Sequence, residues 1–338
     1  MAVHRFSLSP ELGHAVESRR IEGHWTVPRG IVDHNDAIYV AQGFELAAGG
    51  GWQAVPPLPR AELVLCPAEA SESGGAVPSV GSQLFDKTEV CVAHCDTLSA
   101  ALALGDACAL NFANAEVPGG GYRRGARAQE EDLCRLLPQL YPSLLGASDA
   151  GAYPLPPEAA LLTRGVMAVR EPGSYKPCAC LGNLTIVTAA MPVVRYGEPS
   201  DGWLSENGWS RTVRLRIRAV LHAAAVSGHS NLVLGAFGCG AFGNPAEPVA
   251  AIFREHLQSA EFRGRFQRIV FAIIDPLGTG NLQPFRQQMQ SIEDVGVPAP
   301  CDLPAPDSQP ELEPEQPASE PELAAAAAPT VERDTLAR

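Results

Sequence analysis

Between residues 61 and 292, short apolar runs alternate with stretches whose apolar residues recur three and four apart. The runs at 61–66, 89–93, 107–111, 183–188, 231–237 and 268–274 end on turn residues, and each predicts a buried strand. The other period predicts helices over 97–104, 129–140, 208–226, 245–257 and 282–292. In the longest of these, Val213, Ile217, Val220, Leu221 and Ala224 share one face. Asp96 suits the N-cap before residue 97, and Pro245 suits a first helical turn. Pro138 and Pro142 are expected to end the 129–140 helix. Strands and helices in alternation predict an α/β fold, a three-layer α/β/α sandwich around a mixed sheet. Ligands of such sheets bind beyond the carboxyl ends of the strands.

Outside that pattern the chain reads differently. Residues 1–60 are expected to form an N-terminal extension packing on the core, with short strands at 32–40 and 43–46. Gly49-Gly50-Gly51 and Pro56-Pro57-Leu58-Pro59 punctuate its loops. Residues 67–81 are loop-like. The Pro-rich stretch 146–177 shows no period, and its length suits either a substrate-facing insertion or a peripheral loop. Beyond Val295 the chain turns to Pro, Glu and Ala, so 296–338 is expected to be a disordered tail, leaving 61–295 as the folded domain.

Composition changes this picture in three places. The formal charge is −13, but from Cys301 onward nine acidic residues face two arginines, a net −7. Over half of the excess therefore lies in the tail, and the rest gives no broad field toward nucleic acid. Arg211, Arg214, Arg216 and Arg218 fall around the polar faces of one helix, a solvated pattern, so no sequence-specific nucleic-acid binding is expected. The nine cysteines lie mostly in apolar runs, and MAVHRFSLSP has no signal-peptide pattern. They are expected to be reduced thiols of an intracellular chain, cytoplasmic or nuclear. Cys178-Ala179-Cys180 and His94-Cys95 lack the repeated spacing of a zinc site, so no metal is expected. No apolar run approaches the roughly 20 residues that span a bilayer. A monomer is expected.

The chemistry gathers in two glycine loops. The first follows the 107–111 strand: Asn111-Phe112-Ala113-Asn114, then Gly119-Gly120-Gly121, then Gln129-Glu130-Glu131 at the start of a helix. Glycines let a ligand touch the backbone, and consecutive N–H groups converge on an anion. Gly-Gly-Gly can also be a flexible turn, and paired glutamates at a helix start can simply complement the helix dipole. The second loop, Gly238-Cys239-Gly240-Ala241-Phe242-Gly243, is literally G-x-G-x-x-G between a strand and a helix. Alone it suggests a dinucleotide site and an NAD-dependent oxidoreductase. However, it lies late in the chain, no acidic residue follows at the expected spacing, and the first loop would have no role.

The Gly-Gly-Gly followed after seven residues by Gln-Glu-Glu, and the preceding Asn-x-Ala-Asn, resemble the microbial-type poly(ADP-ribose) glycohydrolases, a macrodomain-like family. Gly-Ala-Phe-Gly-Cys-Gly-Ala-Phe-Gly-Asn, from Gly235 to Asn244, resembles the diphosphate loop of the same family. The resemblance spans roughly residues 89–292. It implies that Glu131 is the general acid and base, that Glu130 orients the distal ribose, and that Gln129 helps to set both carboxylates. It also implies that Asn114 bonds a distal-ribose hydroxyl beside Gly119, Gly120 and Gly121. Gly238, Gly240 and Ala241 would hold the diphosphate, and Phe242, followed by Gly243, would pack on the ribose. The implied activity is cleavage of the ribose–ribose O-glycosidic bond of poly(ADP-ribose), with no cofactor. The implied partners are the polymer or ADP-ribosylated macromolecules. A non-catalytic ADP-ribose reader and a mono-ADP-ribosyl hydrolase are the alternatives. A reader needs the loops but not the carboxylates.

Overall fold

A computed structural model describes residues 19–21, 24–26, 29–45, 52–67, 83–194, 208–275 and 280–290. The Gly49-Gly50-Gly51 turn, most of the 67–81 loop and the whole 296–338 tail lie outside the described residues. In chain order the elements are β1 (Arg19–Ile21), β2 (His24–Thr26), α1 (Arg29–Ala41), β3 (Gly43–Glu45), β4 (Trp52–Ala54), β5 (Ala61–Leu65) and β6 (Glu89–Ala93). Then come α2 (Thr97–Leu104), β7 (Ala107–Ala113), α3 (Gln129–Leu136), α4 (Leu140–Asp149), β8 (Ala159–Arg170) and β9 (Pro177–Ala190). The last are α5 (Trp209–Ser227), β10 (Asn231–Leu234), α6 (Ala246–Gln258), β11 (Arg268–Ala272) and α7 (Leu282–Gln290).

Seven strands form the central sheet in the order β5-β8-β9-β7-β10-β11-β6. The five from β9 to β6 run parallel, and β8 is antiparallel to both β9 and β5. Side chains alternate between two cores, as the two-residue period of a strand requires. Leu232 and Leu234 of β10 and Ile269 and Phe271 of β11 join the core under α5, α6 and α7. Val233 and Val270 point the other way, to the core under α2, α3 and α4. With both faces covered, these strands have no polar side, hence their nearly continuous apolar runs.

Three expectations are corrected. Residues 32–40 belong to helix α1, not to a strand: Ile31, Asn35 and Ile38 are buried at helical spacing. The 146–177 stretch is not a loop, because it contains the end of α4 and the twelve-residue strand β8. The sequence signal of β8 is broken by a register shift between Thr163 and Val166. Leu161 and Val166 therefore face the same core, although an unbroken strand would send them to opposite sides. The helix expected over 129–140 is two helices. Pro138 separates them, whereas Pro142 sits in the first turn of α4, where a missing N–H is harmless. Asp96 caps α2 as expected, accepting the Ser99 N–H at 2.8 Å.

The thiol expectation holds for Cys66, Cys95, Cys108, Cys134, Cys178, Cys180 and Cys239, while Cys91 is disulfide-bonded. Among the described residues no helix is long and apolar enough to cross a membrane.

Candidate active site

β7 and β10 are neighbouring parallel strands, so the loops leaving their carboxyl ends are brought side by side. Phe112 at the end of β7 and Phe237 after β10 stack at 5.6 Å between ring centroids, joining the roots of the two loops. This adjacency assembles one site from residues more than a hundred positions apart.

The start of α3 is bolted to β7 by Gln129. Its Oε1 accepts the Phe112 N–H at 2.8 Å, and its Nε2 donates to Leu110 O at 2.7 Å and Thr97 Oγ1 at 3.1 Å. The Gln129 amide is thus spent on the scaffold and acts from behind the carboxylates. Glu131 is held at both oxygens: Oε1 accepts the Gly121 N–H at 2.7 Å and Oε2 the Ala128 N–H at 3.0 Å. The second bond is the reach-back of a third-position glutamate to the start of its helix. Glu130 accepts the Asn114 N–H at 2.8 Å through Oε2, while its Oε1 is buried with no hydrogen-bond partner. Burial, reinforced by the Glu131 charge, pushes the Glu130 carboxyl up to about 8, so it is neutral at pH 7. The carboxylate pair therefore carries a proton under ordinary conditions.

Gly120 explains why the loop needs glycine. Its φ is +56°, and a Cβ there would stand 2.5 Å from Glu131 Oε1 and 2.9 Å from Glu130 Oε2. The backbone thus lies directly against both carboxylates. Gly119 and Gly121 complete the turn, the Gly119 carbonyl accepting the Tyr122 N–H and the Gly121 carbonyl those of Arg124 and Ala126. Asn114 shapes the approach: its Oδ1 accepts the N–H groups of Glu116 at 2.8 Å and Val117 at 2.9 Å.

The second loop is closed by turns from Cys239 N to Ala236 O, Gly243 N to Gly240 O and Asn244 N to Gly238 O, each at 3.0 Å. Among the described residues the N–H groups of Gly240, Ala241 and Phe242 donate to no protein acceptor. Gly240 and Ala241 are exposed and Phe242 is half-buried. A Cβ on Gly240 would meet nothing, whereas one on Gly238 would strike Met191 at 2.5 Å at a φ of +75°. One glycine is demanded by the fold; the other leaves open space above a row of donors.

Several contributors were not assigned roles from the sequence. Asn244 pins the second loop, donating to Pro192 O at 2.8 Å and accepting the Trp209 Nε1–H at 2.8 Å. It stood inside the glycine motif, which was its only signal. Asn111 and Tyr153 each bury a polar atom without a hydrogen-bond partner, as Glu130 does. Such atoms are uncommon, and Asn111 Oδ1, Glu130 Oε1 and Tyr153 Oη are three of those among the described residues. Asn35 of α1 ties the site's back wall together. Its amide donates to the Tyr122 hydroxyl and to the carbonyls of Cys134 and Arg135, and its oxygen accepts from Arg170 at 2.8 Å. Nothing in the local sequence marked it.

Comparison with known proteins gives a consistent result. Residues 63–156 match the family described as microbial-type PARG, catalytic domain. A solved poly(ADP-ribose) glycohydrolase from Deinococcus radiodurans, in complex with ADP-ribose, is similar at 33% identity and a TM-score of 0.56, over 62% of this chain and 87% of that one. The enzyme of the same name from Thermomonospora curvata is similar at 28% identity and a TM-score of 0.62, over 77% of this chain and 98% of its own. The latter has also been solved with the inhibitor ADP-HPD, at 29% identity and the same coverage. Among curated proteins no relative matches the sequence.

Proposed function

The chain belongs to the microbial-type poly(ADP-ribose) glycohydrolases, hydrolases of the ribose–ribose O-glycosidic bond, and we propose that Glu131 is the group that moves the proton in this reaction. The observation that carries this reading is the carboxylate pair pressed against Gly120, one member held by two backbone N–H groups and the other buried and neutral. The proton that the pair carries passes through Glu131 to the leaving ribose oxygen as the glycosidic C–O bond breaks. The Glu131 carboxylate then takes a proton from the water that attacks the anomeric carbon, which restores the acid. Glu130, neutral and hydrogen-bonding, orients the distal ribose through its unpartnered Oε1. Asn114 offers its Nδ2 to a distal-ribose hydroxyl, since its Oδ1 is taken up by the loop.

The second loop suits the diphosphate. The N–H groups of Gly240, Ala241 and Phe242 point at no protein acceptor, and Gly238 and Gly243 set the turn that presents them. Phe242 covers the ribose. The diphosphate charge then lies near the developing oxocarbenium ion and stabilises it. In this reading G-x-G-x-x-G serves ADP-ribose, which is itself part of a dinucleotide, and the oxidoreductase reading has no remaining support. The acidic pair likewise argues against a pure reader. We place the enzyme inside the cell, cytoplasmic or nuclear, as a monomer acting on the polymer or on ADP-ribosylated macromolecules. Parallel incubation with poly(ADP-ribose) and with mono-ADP-ribosylated protein tests the substrate. Release of ADP-ribose from the polymer is expected, and release from the mono-modified protein alone would overturn the polymer assignment.

A further inference from the structure

On the α5–α6 side of the sheet, far apart in sequence, three residues of different chemistry meet. We propose that Cys66, His222 and Glu261 form a zinc site that staples the edge strand β5 to the helical layer. One ligand atom from each lies within 4.8 Å of those of the other two. Cys66 and His222 are buried at 8% and 9% exposure, and the Glu261 side chain is 17% exposed.

The second observation is His222 itself. Its Nδ1 is buried and has no hydrogen-bond partner, a state that costs free energy unless something occupies it. Thiolate, imidazole and carboxylate together suit zinc.

Arg218 supplies the outer support. It lies one turn before His222 on α5 and grips Glu261 through both oxygens, at 2.7 and 2.9 Å. It also donates to the carbonyl of Pro67, next to Cys66. It thereby fixes two of the three ligand segments. Each carboxylate oxygen keeps a second lone pair for a metal, and such outer partners commonly orient ligands. The guanidinium also cancels the Glu261 charge. One of the two zinc charges is then met by Cys66, whose S–H bond breaks as the S–Zn bond forms, releasing one proton to solvent. Affinity should therefore rise with pH. The benefit falls on β5, which among the described residues is an edge strand paired only with β8 and which carries exposed Leu63 and Leu65.

Cobalt titration of the full chain, first stripped with a chelator, tests the site. The expected result is a thiolate-to-cobalt charge-transfer band saturating at one equivalent and bleached by zinc. Cys66→Ser should abolish it, and His222→Gln should weaken cobalt binding by roughly 100-fold or more, beyond the 10–100-fold typical of losing an outer partner. No band in the parent protein overturns the proposal, as does a band that survives Cys66→Ser. If Cys66→Ser fails to fold, unchanged cobalt affinity in His222→Gln overturns it.

Discussion

Glu130 and Glu131 are adjacent in the chain yet live in different surroundings. Consecutive helical residues point about 100° apart, so although both carboxylates lie against Gly120, Glu131 accepts the Gly121 and Ala128 N–H groups and Glu130 that of Asn114. The pair itself was legible as a motif; the neutrality of Glu130 was not, because it arises from the packing of α3 against β7. That neutrality has a thermodynamic signature. Below about 4.5, the ordinary value, folded and unfolded chains both carry the proton; between there and about 8 only the folded chain does. Stability contributed by Glu130 is therefore lost as pH rises through this window and is level above it. At roughly 1.4 kcal/mol per unit, the loss is on the order of a few kcal/mol. Denaturant unfolding at pH 5 and pH 8 should show a flatter profile for Glu130→Gln than for the parent, with turnover and ADP-ribose binding both weakened. Parallel profiles would contradict the buried neutral carboxyl. Gly120→Ala should yield a protein that expresses but turns over at least ~100-fold more slowly, as a small misplacement of reacting groups can cost. Near-normal turnover would mean that the carboxylates do not depend on this contact.

At the scale of elements, the parallel strands read well because burial on both faces leaves a plain apolar run. β8 did not: its bulge at Arg164-Gly165 and the prolines before it hide the period. Helix α1 was misread because Asn35 occupies a core-facing position, where a polar residue disguises the helical spacing. Asn35 is there to join four elements. It bonds the loop after β7 through Tyr122, α3 through two carbonyls, and β8 through Arg170. Arg170 is buried and makes no salt bridge among the described residues. Burial lowers its pKa to about 10, which marks how much it relies on these hydrogen bonds. Asn35→Ala would leave both Arg170 and Tyr122 short of a partner, at a cost of about 1–3 kcal/mol for each group. The thermal midpoint should fall by several degrees, and the purified variant should lose turnover in proportion to its unfolded fraction. A midpoint within a degree of the parent would show that α1 is not part of the cooperative unit.

For the molecule as a whole, the alternation of strand and helix was enough to place both glycine loops at the carboxyl edge of one sheet. Their direct adjacency was not legible. It depends on β7 lying between β9 and β10, and the sequence shows no pairing register. Cys66, His222 and Glu261, proposed to hold zinc, illustrate the same limit, since only the folded chain gathers them. What the whole assembly is for comes down to one proton. Glu131→Gln preserves size and polarity, and ADP-ribose affinity by calorimetry should change little because the proposed diphosphate site is the other loop. Release of ADP-ribose from poly(ADP-ribose) by this variant, measured beside the parent under identical conditions, is the most direct test. Acid–base catalysis is worth roughly 10²–10⁴-fold, and a residue serving both half-reactions should lie at or beyond the upper end. A rate within a few-fold of the parent would contradict the role of Glu131 and the mechanism built on it.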